Sequence, residues 1–213
     1  MNIKVFQGGF DKNLCYLIWC EHTKIAAIID PSVEINPIME FIANKNLILS
    51  KILITHTHHD HIAYLNDFTN MYSNLAILCF KEAKNTQFKF IGLTHNQVIA
   101  IGNEILIAIY TPGHFSDSMC FWNKNKNCLF TGDTMFVGRT GRTISKLSNI
   151  KDLYNSIYNQ ILTLPNHTIL YPGHHYGYTK SISIKDNIIT SNFFTCTSFD
   201  EFSQVMKKFE QNR

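Results

Sequence analysis

Four residues within six positions, His56, His58, Asp60 and His61, are the first feature of this chain that could do chemistry. Neutral imidazole and carboxylate are the donors that suit zinc, iron or manganese. Residues 51–54 form a short apolar, β-branched run that reads as a buried strand, and residues 62–68 could carry a helix, so the histidines sit on a strand-to-helix turn. Side chains alternate along an extended segment, which lets His56 and His58 point to the same side. Asp60 and His61, beyond the turn, then face the same space from another direction. At this chain's own His and Asp frequencies such a pattern arises by accident about once in a thousand chains, which sets it apart from most short motifs.

Three more segments carry a potential ligand where a strand ends. Thr111, Pro112, Gly113 and His114 follow an apolar run ending at Tyr110; Thr131, Gly132 and Asp133 follow one ending at Phe130; Tyr171, Pro172, Gly173 and His174 follow one ending at Leu170. Glycine with proline before the ligand forces a tight turn and lets the backbone pass close to a cation. Each segment alone is an ordinary turn or cap. Three of them after buried strands converge on one edge of the fold.

The elements that must position these groups follow from hydrophobic patterning. Strands are expected at residues 3–6, 47–54, 75–79, 97–101, 104–110, 118–122, 127–131 and 168–171, with a hairpin over 13–20 and 24–29. Helical patterns cover 32–44, 62–68, 80–86 and 150–164, the last with Leu153, Ile157 and Ile161 in register and Pro165 ending it. Two further helices are expected near 184–189 and 199–209, with Phe202, Val205, Met206 and Phe209 on one face of the second. Strand runs flanking isolated helices, twice over, point to two packed sheets with helices outside.

Composition bounds the function. With 213 residues, 45% hydrophobic and 16% charged, the chain reads as globular and not disordered. A net charge of +3 is too small to imply nucleic acid, and no apolar stretch is long enough to span a membrane. The six cysteines have no Cys-x-x-Cys spacing and mostly lie in apolar runs, the pattern of reduced, buried thiols. The first residues show no signal-peptide pattern, so a cytoplasmic protein is expected.

The ordered set of motifs closely resembles the metallo-β-lactamase superfamily, over about residues 3–178. The resemblance implies an α+β fold, the αββα sandwich of two mixed β-sheets with helices on the outer faces. It implies a single domain over 1–213 with a short helical C-terminal extension from about 180. It further implies two divalent metal ions, Zn2+ foremost with Fe or Mn as alternatives. One site would use His56, His58 and His114, the other Asp60, His61 and His174, and Asp133 would bridge them. His59 has no part in that set and is read as facing outward.

Within the superfamily the chain is most similar to the glyoxalase II, or hydroxyacylglutathione hydrolase, branch. Residues 132–137 with Gly141 and Arg142 resemble that branch's loop after the bridging aspartate, which makes Arg142 the expected contact to the thiol part of the substrate. Tyr176, two residues beyond His174, is the second substrate-binding candidate. The reaction implied is attack of a metal-bound hydroxide on a small-molecule thioester, with Asp60 and Asp133 as catalytic residues. A monomer or small homo-oligomer is expected. Longer members carry a separate helical domain with more basic contacts, and the short stretch after His174 departs from them. The alternative is a mononuclear iron persulfide dioxygenase, which shares the motif and would use His56, His114 and Asp133; there Ile144 stands where that group has an aspartate. A metal-stabilised binding domain and classical β-lactam hydrolysis fit the residues less well, since no cysteine enters the motif and the loop after Asp133 matches thioesterases.

Overall fold

Strand β2 (Asn13–Trp19) shows why two sheets must stack: all seven of its residues are buried. Leu14, Tyr16 and Ile18 point into one apolar cluster, and Cys15, Leu17 and Trp19 into another. A strand covered on both faces needs a second layer on each. The computed structural model, which describes residues 1–84 and 86–211, supplies both.

The first sheet runs β1 (Asn2–Gly8), β2, β3 (Ile25–Ile29), β4 (Ile48–Leu53), β5 (Ala76–Phe80) and β6 (Ile91–Leu93) in spatial order. The first three strands pair antiparallel and the rest parallel. The second sheet is built from β7 (Gln97–Ile101), β8 (Glu104–Tyr110), β9 (Met119–Asn123), β10 (Cys128–Gly132), β11 (Ile169–Pro172) and β12 (Ile182–Ser183), again in sequence order across the sheet. Only β10 and β11 pair parallel there. Leu14, Tyr16 and Ile18 of the first sheet share a core with Ala108, Met119, Phe121 and Phe130 of the second. Helices α1 (Ile35–Asn44) and α2 (Leu65–Met71) cover the outer face of the first sheet through Ile38, Ile42, Leu65 and Phe68. Helices α3 (Ile150–Tyr158), α4 (Ile184–Thr190) and α5 (Phe199–Gln211) cover the second through Leu153, Ile157, Ile184, Phe202 and Met206. This is the αββα sandwich that the motifs imply. All six cysteines are buried as free thiols, and no helix among the described residues is long and apolar enough to cross a membrane.

Three elements differ from the sequence reading. Residues 80–86 do not form a helix: Phe80 ends β5 and stacks on Tyr110 at 4.1 Å, and Lys81 N–H donates to the Leu93 carbonyl, bringing β6 alongside as an extra parallel strand. Asn85 lies outside the described residues. The helix expected over 150–164 stops at Tyr158, because the Gln160 amide turns to donate to the Tyr110 carbonyl at 3.0 Å, and a separate 3-10 turn covers Ile161–Thr163. The helix expected over 62–68 begins only at Leu65, since Tyr64 N–H is taken by the Pro31 carbonyl.

Phe202 is fully buried where α5 meets Tyr154 and Tyr158 of α3. Phe202→Ala is expected to cost about 3–5 kcal/mol by urea denaturation of metal-free protein; a loss below about 1 kcal/mol would show that α5 is not part of the cooperative core.

Candidate metal centre

The expected ligands all leave the ends of strands at one edge of the sandwich. Thr55 and His56 follow β4, His114 follows β8, Asp133 follows β10 and His174 follows β11. Backbone hydrogen bonds join the two sheets there, from Met119 N–H to the Thr55 carbonyl at 2.7 Å and from Leu14 N–H to the Gly173 carbonyl at 2.7 Å. His59–His61 forms a single 3-10 turn that swings Asp60 and His61 back over His56. Two glycines let the backbone come this close. Gly132 has φ +48° and a Cβ there would lie 2.4 Å from Thr55 Oγ1; a Cβ on Gly173 would lie 2.5 Å from Asp133 Oδ1.

The seven residues come together. His58 Nδ1 is 2.9 Å from His56 Nε2 and 3.1 Å from His114 Nε2. His61 Nε2 is 3.1 Å from both His174 Nε2 and Asp133 Oδ1. Asp133 Oδ2 is 3.4 Å from His174 Nε2 and 3.5 Å from His114 Nε2, and Asp60 Oδ2 is 3.3 Å from His174 Nε2. Three overlapping groups result, His56 with His58 and His114, His56 with His61 and Asp133, and Asp60 with His61 and His174.

The outward ring nitrogens decide what the inward ones can do. His114 Nδ1 donates to the Arg142 carbonyl and His174 Nδ1 to the Asp11 carbonyl, each at 2.8 Å. His61 Nδ1 donates to Asp30 Oδ2 at 2.8 Å. Thr55 Oγ1, which donates to Asp30 at 2.6 Å, accepts from His56 Nδ1 at 3.1 Å. With Nδ1 protonated, each Nε2 presents a lone pair to the centre, the arrangement that orients histidine toward a metal. Asp133 Oδ1 is enclosed yet has no hydrogen-bond partner. Ring nitrogens and carboxylate oxygens facing one another at about 3 Å need protons or a cation between them, and this donor set suits a divalent cation.

The charges respond to that crowding. Burial, with the neighbouring His61, pushes His56 well below the usual imidazole range, and burial with His114 draws His58 down to about 4. Burial also opposes the charged forms of His61 and His174, but Asp133 outweighs it. Helped by Asp30, it raises His61 well above its ordinary value, and it raises His174 to about 9. Burial works against ionisation of Asp133 as well, yet His61 and His174 hold it well below the usual carboxylate range. Asp60 is likewise held low against burial, by the hydrogen bond from His174, the charge of His61 and the Asn13 amide.

The cluster forms the floor of a cavity of about 370 Å³, with His58, His114 and Asp133 below and Arg139, Arg142, Tyr176 and Phe209 around it. Both expected substrate contacts are therefore at the cavity. Tyr176 stacks on His174 at 4.7 Å and donates to Asp11 Oδ2 at 2.6 Å. Glu210 of α5 accepts from Thr143 N–H at 2.6 Å, fixing the loop that carries Arg142. His59 is exposed and packs on Phe10. Phe136 and Tyr176 line this cavity, whereas Phe115 packs against His58 and Tyr110 against Phe80. Sequence reasoning missed Asp30, Asn13 and Arg139; Asp30 stood at a strand end before proline, the one local signal available for it.

A profile of the metallo-beta-lactamase superfamily matches residues 8–174. The chain belongs to that superfamily. It is 34% identical over 168 residues to a probable polyketide biosynthesis zinc-dependent hydrolase, BaeB, of Bacillus velezensis, covering 78% of this chain and 74% of that one. It is 33% identical over 182 residues to a probable hydroxyacylglutathione hydrolase, glo2, of Schizosaccharomyces pombe, covering 81% and 67%. The crystal structure of ETHE1 from Myxococcus xanthus superposes with a TM-score of 0.89 at 26% identity, covering 100% of this chain and 93% of that one. This superfamily's fold together with the His/Asp cluster points to divalent metal binding.

Two tests follow from the geometry. Asp133 raises the proton affinity of both His61 and His174, so a cation at their inward nitrogens competes with protons. Zinc affinity is therefore expected to rise with pH between about 6 and 9, with net proton release in a chelator competition titration; a flat profile would contradict it. Asp30→Asn turns an amide N–H₂ toward His61 Nδ1, favouring the tautomer whose proton sits on the inward nitrogen. About a 10- to 100-fold loss of zinc affinity is expected, with unchanged circular dichroism.

Proposed function

We propose that this protein is a metal-dependent thioester hydrolase of the glyoxalase II type, cleaving hydroxyacyl-thiol esters such as hydroxyacylglutathione. One observation carries the reading: two ligand triads meet around Asp133, and His58, His114 and Asp133 form the floor of a cavity whose walls hold arginine and whose size suits a small molecule. The hydrolase names of the relatives at 33–34% identity support it. His56, His58 and His114 would hold one divalent cation, zinc foremost, and Asp60, His61 and His174 the other, with Asp133 touching both. Cations so bound supply a water nucleophile near neutral pH and polarise the carbonyl.

The protein's own part is orientation. Asn13 Nδ2 donates to Asp60 Oδ2 at 2.8 Å, leaving the other Asp60 oxygen to align the attacking water. Asp133, flanked by three imidazoles, would fix the spacing of the two halves. A thiolate is a good leaving group and needs little help from a general acid. Arg142 and Tyr176 bound the space for the thiol part. The second reading, a mononuclear iron persulfide dioxygenase, rests on His56, His114 and Asp133 meeting in the same cluster, two histidines and a carboxylate as in non-haem iron oxygenases.

Elemental analysis of protein purified without added metal, assayed in parallel for lactoylglutathione hydrolysis and for oxygen uptake on glutathione persulfide, separates the two. Near two zinc or mixed ions per chain with hydrolysis is expected, and Asp133→Ala should lose metal and at least about 100-fold in turnover. One iron per chain with persulfide-dependent oxygen uptake would overturn the hydrolase reading, as would an Asp133→Ala protein with unchanged metal and turnover.

A further inference from the structure

Arg139 makes no close ion pair among the described residues, and Asp11 and Asp133 act on it only from a distance. Its Nε is enclosed without a hydrogen-bond partner, and Arg142 likewise makes no ion pair among those residues. The guanidinium is nonetheless held firmly. Its Cζ lies 3.9 Å from the centre of the Tyr176 ring, 5.7 Å from Phe136 and 5.5 Å from Phe209. The Cζ of Arg142 lies 5.5 Å from the same Phe209 ring, so the two guanidiniums flank one aromatic on the cavity wall. The cavity's two carboxylates are committed elsewhere: Asp133 to the histidines, and Asp11 to the Tyr176 hydroxyl. Half-burying a cation costs free energy unless something pairs with it, and the lowering of the Arg139 pKa by burial shows the cost.

We infer that Arg139, with Arg142, forms an oxyanion subsite that receives a carboxylate or phosphate carried by the substrate at an end remote from the scissile carbonyl. The inference rests on the thioesterase reading for the word substrate. Tyr176 has a second part here besides bounding the space for the thiol part. Its ring is sandwiched between His174 and Arg139 and its hydroxyl is spent on Asp11, so it positions the arginine. A planar fork pinned on an aromatic face loses little freedom when it binds a planar oxyanion, which is why Arg and not Lys suits the place.

The test uses zinc-loaded wild type, Arg139→Ala and Arg139→Lys. Equilibrium binding is read with S-methylglutathione, which carries carboxylates, and with phosphopantetheine, which carries phosphate. Kinetics compare lactoylglutathione with an uncharged N-acetylcysteamine thioester. Arg139→Ala is expected to weaken binding of one probe by about 10- to 100-fold and to reduce the preference for the charged thioester similarly, with Arg139→Lys between. The probe that loses affinity identifies carboxylate or phosphate as the group received. Equal binding of both probes by wild type and Arg139→Ala, or no binding of either probe to wild type, would overturn the subsite. A wild-type protein that binds a probe but hydrolyses no thioester would overturn the proposed reaction, while the binding comparison would still decide Arg139.

Discussion

A buried carboxylate, that of Asp30, holds the metal centre to the fold. It is 1% exposed and its two oxygens take three donors: Thr55 N–H at 2.7 Å, Thr55 Oγ1 at 2.6 Å and His61 Nδ1 at 2.8 Å. Those donors belong to the end of β4 and to the turn beyond it, so one side chain ties the two parallel strands β3 and β4 to the segment that folds back over them. Leaving any of these groups without its partner in a dry interior would be expensive. The direction of the Thr55 hydroxyl then sets the tautomer of His56, and Asp30 itself sets that of His61. Two of the inward lone pairs thus descend from one carboxylate.

The rest of the centre is assembled by the same device with different partners. His114 and His174 are fixed by backbone carbonyls, of Arg142 and Asp11, and both carbonyls lie in loops that also line the cavity. Orientation of the ligands and shape of the substrate space are consequently not independent. The loop bearing Arg142 is in turn held by Glu210 of α5, which gives the last helix a role at the site although it contributes no ligand.

Much of this was legible in the chain itself, and the exceptions share a cause. The seven ligand types stand in local motifs, four of them within one turn, and Pro-Gly or Gly before the others marks a strand end. The sandwich was legible because strand runs flank isolated helical patterns twice over, with helical spacing in what became α1, α3 and α5. What local patterning could not reveal depends on distant pairing. Asp30 looks like a residue ending a strand before proline until β3 and β4 align. Asn13 meets Asp60 only because the first hairpin lies beside the histidine turn. Strand β6 is three residues long and mostly exposed, so it carries no signal of its own. The helix expected at 80–86 failed because Phe80 belongs to the inter-sheet core, a tertiary preference that outweighs a short helical pattern.

Arg139 illustrates the same limit from the functional side. In the sequence it is one more basic residue in a glycine-bearing loop, beside an Arg142 that a motif singles out. Its distinction is negative: an enclosed Nε with no partner, and a guanidinium with three aromatic rings around it and no close ion pair among the described residues. Two of those rings come from residues 176 and 209, far along the chain, and only the packing of α5 against the second sheet brings Phe209 into place. In the stack that runs from Arg139 through Tyr176 to His174, one aromatic ring stands between the arginine and the ligand ring, and Arg139 itself touches no ligand. Substrate affinity and metal affinity can therefore be separated at Arg139, whose side chain touches the stack from outside. They cannot be separated at Tyr176, which is packed against a ligand ring.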